Sequence, residues 1–240
     1  MTQTPSAADA ARLLHQLKQN INAPHQPKTG EGLSPQMALL REWQSARLAR
    51  THADLLADAE FGAASRFFLT DIYAPRDFTQ RDHDIERMHR FMLKILPPKM
   101  LTPLTHAIEL NTLTQTLDAR LLDALVNDLG VSDEITEDLY AEAYRICDNY
   151  DDRVRQIDMV GQIGRELSRI AHLPFIGPTV RLMHKPAYRA GWHELQDFLE
   201  HGLAAFKRMK HTDRFLDTIT ARERLILDRI YAEHPHPFDI

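Results

Sequence analysis

Apolar residues recur at intervals of three and four along almost the whole chain, and no run alternates cleanly with a period of two. Spacing of the first kind puts apolar side chains on one side of a helix; spacing of the second would put them on one face of a strand. The expected fold is therefore all-α: a single-domain bundle of roughly seven or eight helices with an N-terminal helical arm. Residues 6–21 read as a short helix with Leu13, Leu14, Leu17 and Ile21 on one side. Residues 22–34 are rich in Pro, Gly and polar groups and read as linker, so 1–33 is expected to form an N-terminal helix and flexible linker. Residues 34–233 form the helical domain, and 234–240 a C-terminal tail.

Within the domain, Ser34-Pro35 is a helix start, with serine as N-cap and proline at the first helical position. This helix is expected to run to about Tyr73, with Leu39, Trp43, Ala46, Ala49, Ala53, Leu56, Ala63 and Phe67 on its packed face and a bend near Gly62. A turn over Asp71–Phe78 leads to a capping box at Thr79 and Asp82. The next helix carries Met88, Met92 and Ile95 inward and ends at Pro97-Pro98. Another helix spans about 103–129, with Gly130 as its C-terminal cap. A helix from Ser132 or Asp133 reaches about Ala171. Residues 172–186 hold three prolines and read as a loop with one short helix from about Pro178. Helices from about Ala187 and over about 212–233 complete the domain.

Composition narrows the function classes. The 240 residues carry a formal net charge of -5, which argues against nucleic acid as the main partner, since phosphate binding needs a basic surface. Cys147 is the only cysteine, so neither an intrachain disulfide nor a zinc site of several thiolates is expected. There is no basic start followed by an apolar run, as in a signal peptide, and no apolar run approaches the roughly 20 residues that span a bilayer. The expectation is a cytoplasmic protein without a membrane partner.

The segment Phe67-Phe68-Leu69, Asp71-Ile72-Tyr73, Pro75, Asp77-Phe78 and Arg81-Asp82 resembles the signature of an uncharacterised family of bacterial helical proteins. Glu109-Leu110, Leu117-Asp118, Pro186-Ala187, Leu195-Gln196 and Phe198-Leu199-Glu200 extend the resemblance over about 35–233. It implies an all-α fold. The family has no assigned activity, so the resemblance carries over no catalytic residue.

The chain has no phosphate-binding glycine loop, dinucleotide fingerprint, zincin helix or nucleophile elbow. Catalytic residues and cofactor stay unknown at this level. His193, Asp197 and His201 stack at i, i+4, i+8, but this column points away from Leu195, Leu199, Gly202 and Phe206 and is expected in water, so no metal site is assigned. The column Asn111, Gln115 and Asp118 is different, because it lies among leucines on a helix apolar on two sides. Asn149, Arg153 and Gln156 on a later helix are the expected partners, with an Arg153–Asp118 pair foremost. These six residues form either a structural polar layer or a small-ligand pocket. Gln44, His52 and Arg66 share a face with Leu48 and Leu55, where His52 reads as a partly exposed histidine. Cys147 borders an apolar stripe.

The aromatic segment around Phe67–Phe78 either plugs the end of the core or offers a surface to a protein partner. The sequence therefore points to a non-enzymatic interaction or scaffold protein. The alternative is a helical-bundle cofactor-binding protein or enzyme, haem-oxygenase-like or di-iron-like, with a polar pocket in the bundle core.

Overall fold

The computed structural model describes residues 34–69, 98–191 and 193–240, the side chains of 98–104, 108, 194 and 195 excepted. The N-terminal arm, the turn after Leu69, the Thr79–Asp82 box and the helix expected after it lie outside the described residues. Among the described residues there are nine α-helices and no strand. They are α1 (Pro35–Thr51), α2 (Ala53–Ala57), α3 (Gly62–Phe67), α4 (Pro98–Asp123), α5 (Glu137–Cys147), α6 (Tyr150–Ala171), α7 (Ile176–Arg189), α8 (His193–Arg208) and α9 (Thr212–Tyr231). The fold is all-α, and no described helix is long and apolar enough to cross a membrane.

Local chemistry accounts for most of the boundaries. The Ser34 hydroxyl accepts from Met37 N at 3.2 Å and opens α1. The long early helix expected from periodicity is instead divided into three. Its chain leaves the helix at Asp58, whose Oδ1 accepts from the amides of Glu60 and Phe61 at 2.7 and 2.9 Å. A short side chain that bonds the backbone two and three residues ahead competes with helix continuation. After α4 the ladder widens into a π-helical turn over Ala124–Asp128, and Gly130 follows at a φ of 68°. The expected single helix over 133–171 is two, α5 and α6. Thr136 caps α5, and Asp148 breaks the run in the left-handed conformation at φ 45°. Helix α7 is longer than expected: Pro178 lies in its first turn, where a missing N–H costs nothing, and Pro186 removes only a bond to the carbonyl of the exposed Leu182.

Helix α6 is the hub, packing against α4, α9, α8 and α7. Among the described residues there are two apolar cores, and α6 contributes Ala171 and Leu167 to the second. One gathers Leu40, Leu121, Leu125, Tyr140, Ile226 and Ile230. Trp43 stacks on Tyr140 with ring centroids 4.0 Å apart, and Phe238 meets both rings edge-on. The residues after α9 thus carry a buried phenylalanine, which the reading of 234–240 as a tail did not anticipate. The other core gathers Leu55, Phe61, Phe67, Phe206, Phe215 and Leu216. Phe67 is buried there against Phe198 and Phe206.

The packed face of α1 also differs from expectation. Leu40, Arg47 and Leu48 are buried, whereas Ala46 and Ala53 are exposed. The helix is turned so that its polar residues Gln44 and Arg47 face inward with Leu48. Alanines offer little apolar area; a buried arginine with a carboxylate partner secures the orientation.

Close helix approach depends on small residues. A Cβ built on Gly164 of α6 would lie 2.6 and 2.9 Å from the δ-carbons of Leu216, which is fully buried. One on Gly202 would lie 2.9 Å from the Phe67 ring tip. Gly164→Ala is therefore expected to cost about 1–3 kcal/mol through overpacking, although alanine alone favours a helix by up to about 1 kcal/mol. Urea denaturation measures it. An unchanged or raised midpoint would show that α6 and α9 can separate without penalty.

Candidate functional site

Between the two cores lies a cavity of about 120 Å³. Its position follows from the sequence of α9. Phe215 and Leu216 belong to one core, Ile226 and Ile230 to the other, and Thr220 and Glu223 fall between them on the cavity wall. On α1 and just beyond it, Gln44, Arg47, Leu48 and His52 face the same space. Thr114 and Asp118 enter from α4, Tyr140 and Tyr144 from α5, and Arg153, Gln156, Ile157 and Val160 from α6. The lining joins the two cores: Tyr140 and Tyr144 pack with Ile230, Arg153 lies over the Tyr144 ring and Gln44 bonds both Tyr140 and Asp118, while Phe68 and Ile219 pack with the Phe215 core. Ile219 and Ile230 stand about 16 Å apart along the helix.

Two charged groups dominate the walls. Arg47 Nη1 donates to both carboxylate oxygens of Glu223 at 2.6 Å, and His52 Nε2 lies 3.0 Å from Glu223 Oε1. Burial opposes the charge on Glu223. The Arg47 charge and the hydrogen bonds from His52 and Arg47 overcome it and hold the carboxyl down at about 2. Burial likewise opposes the charge on Arg47, but Glu223 pushes its pKa up. His52 is 7% exposed, which corrects the expectation of a partly exposed histidine. The Glu223 carboxylate accounts for the change, because it gives the ring a buried partner.

The second group is Asp118 with Arg153. Their closest charged atoms are 3.9 Å apart, within ion-pair range but beyond a hydrogen bond. Asp118 Oδ1 accepts from Gln44 Nε2 at 3.1 Å instead. Arg153 donates to Leu117 O at 3.2 Å and to Gln156 Oε1 at 3.1 Å, and its guanidinium lies 4.5 Å from the centre of the Tyr144 ring. Gln156 Nε2 passes the network on to Thr114 Oγ1 at 2.8 Å. Burial raises the pKa of Asp118 despite Arg153, Gln44 and Arg41. Burial also raises that of Tyr140, whose hydroxyl donates to Tyr144.

The six residues singled out from sequence separate here. Asp118, Arg153 and Gln156 line the cavity together. Gln115 is half-buried and does not line it, and Thr114 takes that place. Asn111 is exposed, a correction to its expected place in a buried column: its turn of α4 lies beyond the cavity. Asn149 is buried at the start of α6, away from the lining, and its backbone N–H donates to Tyr231 Oη at 3.1 Å. Arg66 is exposed, whereas Gln44 and His52 of the same early segment both face the cavity. Arg47, Tyr140 and Glu223 were missed. Arg47 sits four residues before Thr51, at helical spacing from Leu40 and Gln44, and that spacing was the available signal. Glu223 gave none, because its helix reads as a charged surface around it.

Several buried polar atoms of the lining have no partner among the described residues: Arg47 Nε, Arg153 Nε and His52 Nδ1. Both side-chain amide atoms of Asn149 share that condition outside the cavity. No group of three or more His, Cys, Asp or Glu able to hold a metal ion lies together among the described residues. His193 and His201 are exposed, whereas Asp197 between them is half-buried and accepts from the Tyr188 hydroxyl at 2.6 Å.

A family model described as "Domain of unknown function (DUF8198)" matches residues 23–237, and the chain belongs to that family. No curated protein and no solved structure matches it.

The Glu223 carboxyl sets a pH dependence. Its folded value of about 2 lies below the ordinary 4.5, so it stabilises the fold fully above pH 4.5 and loses that contribution as pH falls towards 2. The shift corresponds to about 3 kcal/mol. Asp118 acts in the opposite sense: with a raised pKa its ionisation destabilises the fold as pH rises above 3.8. Glu223→Gln is expected to cost about 3–5 kcal/mol at pH 7, because Arg47 remains buried and unpaired. It should also flatten the acid limb of stability between pH 4.5 and 2. Denaturant titrations across that range measure both effects. A variant that keeps the wild-type slope would show that Glu223 does not carry the acid dependence.

Proposed function

We propose that this member of the domain-of-unknown-function family is a small-molecule-binding protein whose ligand occupies the cavity between the two cores. The unpartnered Nε atoms of Arg47 and Arg153 and Nδ1 of His52 carry this reading. A buried donor or acceptor left unbonded costs about 1–3 kcal/mol. A purely structural polar layer would be expected to close its own hydrogen bonds, since a partly satisfied network is worse than an apolar core. Three open positions on residues of two walls of one cavity, α1 with the residue after it and α6, are what a bound molecule would fill. The size fits a small ligand: an apolar cavity of about 150 Å³ holds a benzene molecule.

Fragment titrations monitored by methyl NMR test the proposal. Fragments of four to seven non-hydrogen atoms are expected to shift Leu48, Ile157, Val160 and Leu227 together. Val160→Phe should fill the space, keep the fold and abolish those shifts. A varied panel that leaves the lining methyls unmoved would sink the proposal.

A scaffold or interaction role is the second reading, and one observation favours it. Phe175 and Leu182 are 78% and 77% exposed. Phe175 is the N-cap of α7 in near-helical conformation and Leu182 follows seven residues on, so they lie towards one side of that helix. A face of this kind can meet its own copy. Sedimentation equilibrium is expected to show concentration-dependent association that Phe175→Ser with Leu182→Ser removes. A wild-type chain that stays monomeric at high concentration would eliminate self-association.

A further inference from the structure

We infer that the ligand of the central cavity is a short-chain organic monocarboxylate, its carboxylate at the Arg47–Arg153 end and its hydrocarbon towards Leu56, Phe68 and Ile219. This rests on the cavity being a binding site and adds the chemical class of what it binds.

The balance of charge in the walls carries the argument. Arg47 and Glu223 neutralise each other through direct hydrogen bonds at 2.6 Å. Arg153 has no such counterpart. Its two bonded nitrogens give to neutral oxygens, the Leu117 carbonyl and the Gln156 amide. Its Nε gives to nothing described, and its nearest carboxylate is 3.9 Å away. Asp118 is bonded to Gln44 rather than to Arg153, and burial raises its pKa despite the Arg153 charge. A guanidinium that is 4% exposed and makes no hydrogen bond to a carboxylate calls for an anion. Arg47 Nε, on α1, is a second buried donor without a partner among the described residues.

The rest of the lining restricts which anion. Leu48, Leu56, Phe68, Leu69, Val160 and Ile219 present hydrocarbon to the same space. Inorganic phosphate or sulfate would leave charged oxygens against that surface with no donors to meet them. A carboxylate with a few carbons places one polar end and one apolar end where the walls change character. At about 120 Å³ the cavity holds about five or six non-hydrogen atoms, scaled from the roughly 150 Å³ that takes benzene.

Three probes of equal length separate the classes: butanoate, butanamide and butylammonium, titrated calorimetrically into the full chain. Butanoate is expected to bind at least tenfold tighter than the other two. Arg153→Gln should lower butanoate affinity at least tenfold and butanamide affinity by a clearly smaller factor. Asp118→Asn removes the competing carboxylate and keeps an acceptor for Gln44, so butanoate should bind as tightly or more tightly. If Arg153→Gln does not fold, the wild-type ranking alone decides. Butanamide or butylammonium binding as tightly as butanoate would overturn the anion assignment and leave the cavity as a binding site. Loss of butanoate binding in Asp118→Asn would overturn it equally. If none of the three binds, the assignment falls, and the cavity reading falls with it only if the wider fragment panel also leaves the lining methyls unmoved.

Discussion

The ion pair between Arg47 and Glu223 is the constraint around which the two cores are arranged. Neither charge could be buried alone, and the cost of separating them inside the protein is several kcal/mol. Their 2.6 Å contact therefore ties the rotation of α1 to that of α9. Once α1 is turned to present Arg47, Gln44 and His52 are carried inward with it, and Ala46 and Ala53 are carried out. The polar centre and the two apolar ends of the bundle are consequences of one pairing. The aromatic stack of Trp43, Tyr140 and Phe238 closes one end, and the Phe67–Phe206–Phe215 cluster closes the other.

The Asp118–Arg153 layer is of a different kind. Arg47 and Glu223 answer each other directly, whereas Asp118 and Arg153 are each satisfied mainly by neutral groups on other helices. Amide and carbonyl partners hold a charge in place without cancelling it. Such an arrangement ties α1, α4 and α6 together and still leaves an electrostatic demand in the middle of the bundle. A structural device and a binding site are compatible here, because the same bonds that fix Arg153 also orient its remaining donor.

The sequence made the fold class legible because helical periodicity is a repeated signal, read many times along the chain. Caps were legible where one side chain decides the outcome, as at Ser34 and Gly130. The divisions at Asp58 and Asp148 were not, since an aspartate inside a periodic run reads as an exposed helical residue until its backbone contacts are known. In the site, Asp118, Arg153 and Gln156 could be picked out because each interrupts or borders an apolar stripe. Glu223 could not, because Arg222 and Arg224 flank it and the trio looks like solvated surface. A buried charge is recognisable from one helix only if its neighbours on that helix are apolar; otherwise the partner helix has to be seen.

The contact between Trp43 and Phe238 joins residues at nearly opposite ends of the described chain, with ring centroids 5.7 Å apart. During synthesis, α1 leaves the ribosome long before the groups that cover its inward face exist. Glu223 follows Arg47 by 176 residues, and Ile226, Ile230 and Phe238 come later still. For most of translation a buried-to-be arginine, a tryptophan and two leucines stand open to solvent and to other nascent chains. Core contacts this distant in sequence slow folding and prolong that exposure. The first described helix thus depends on residues far along the chain, and a ribosome that stalls short of them would release a species with a charged, aromatic groove where the folded protein buries Arg47 and Tyr140.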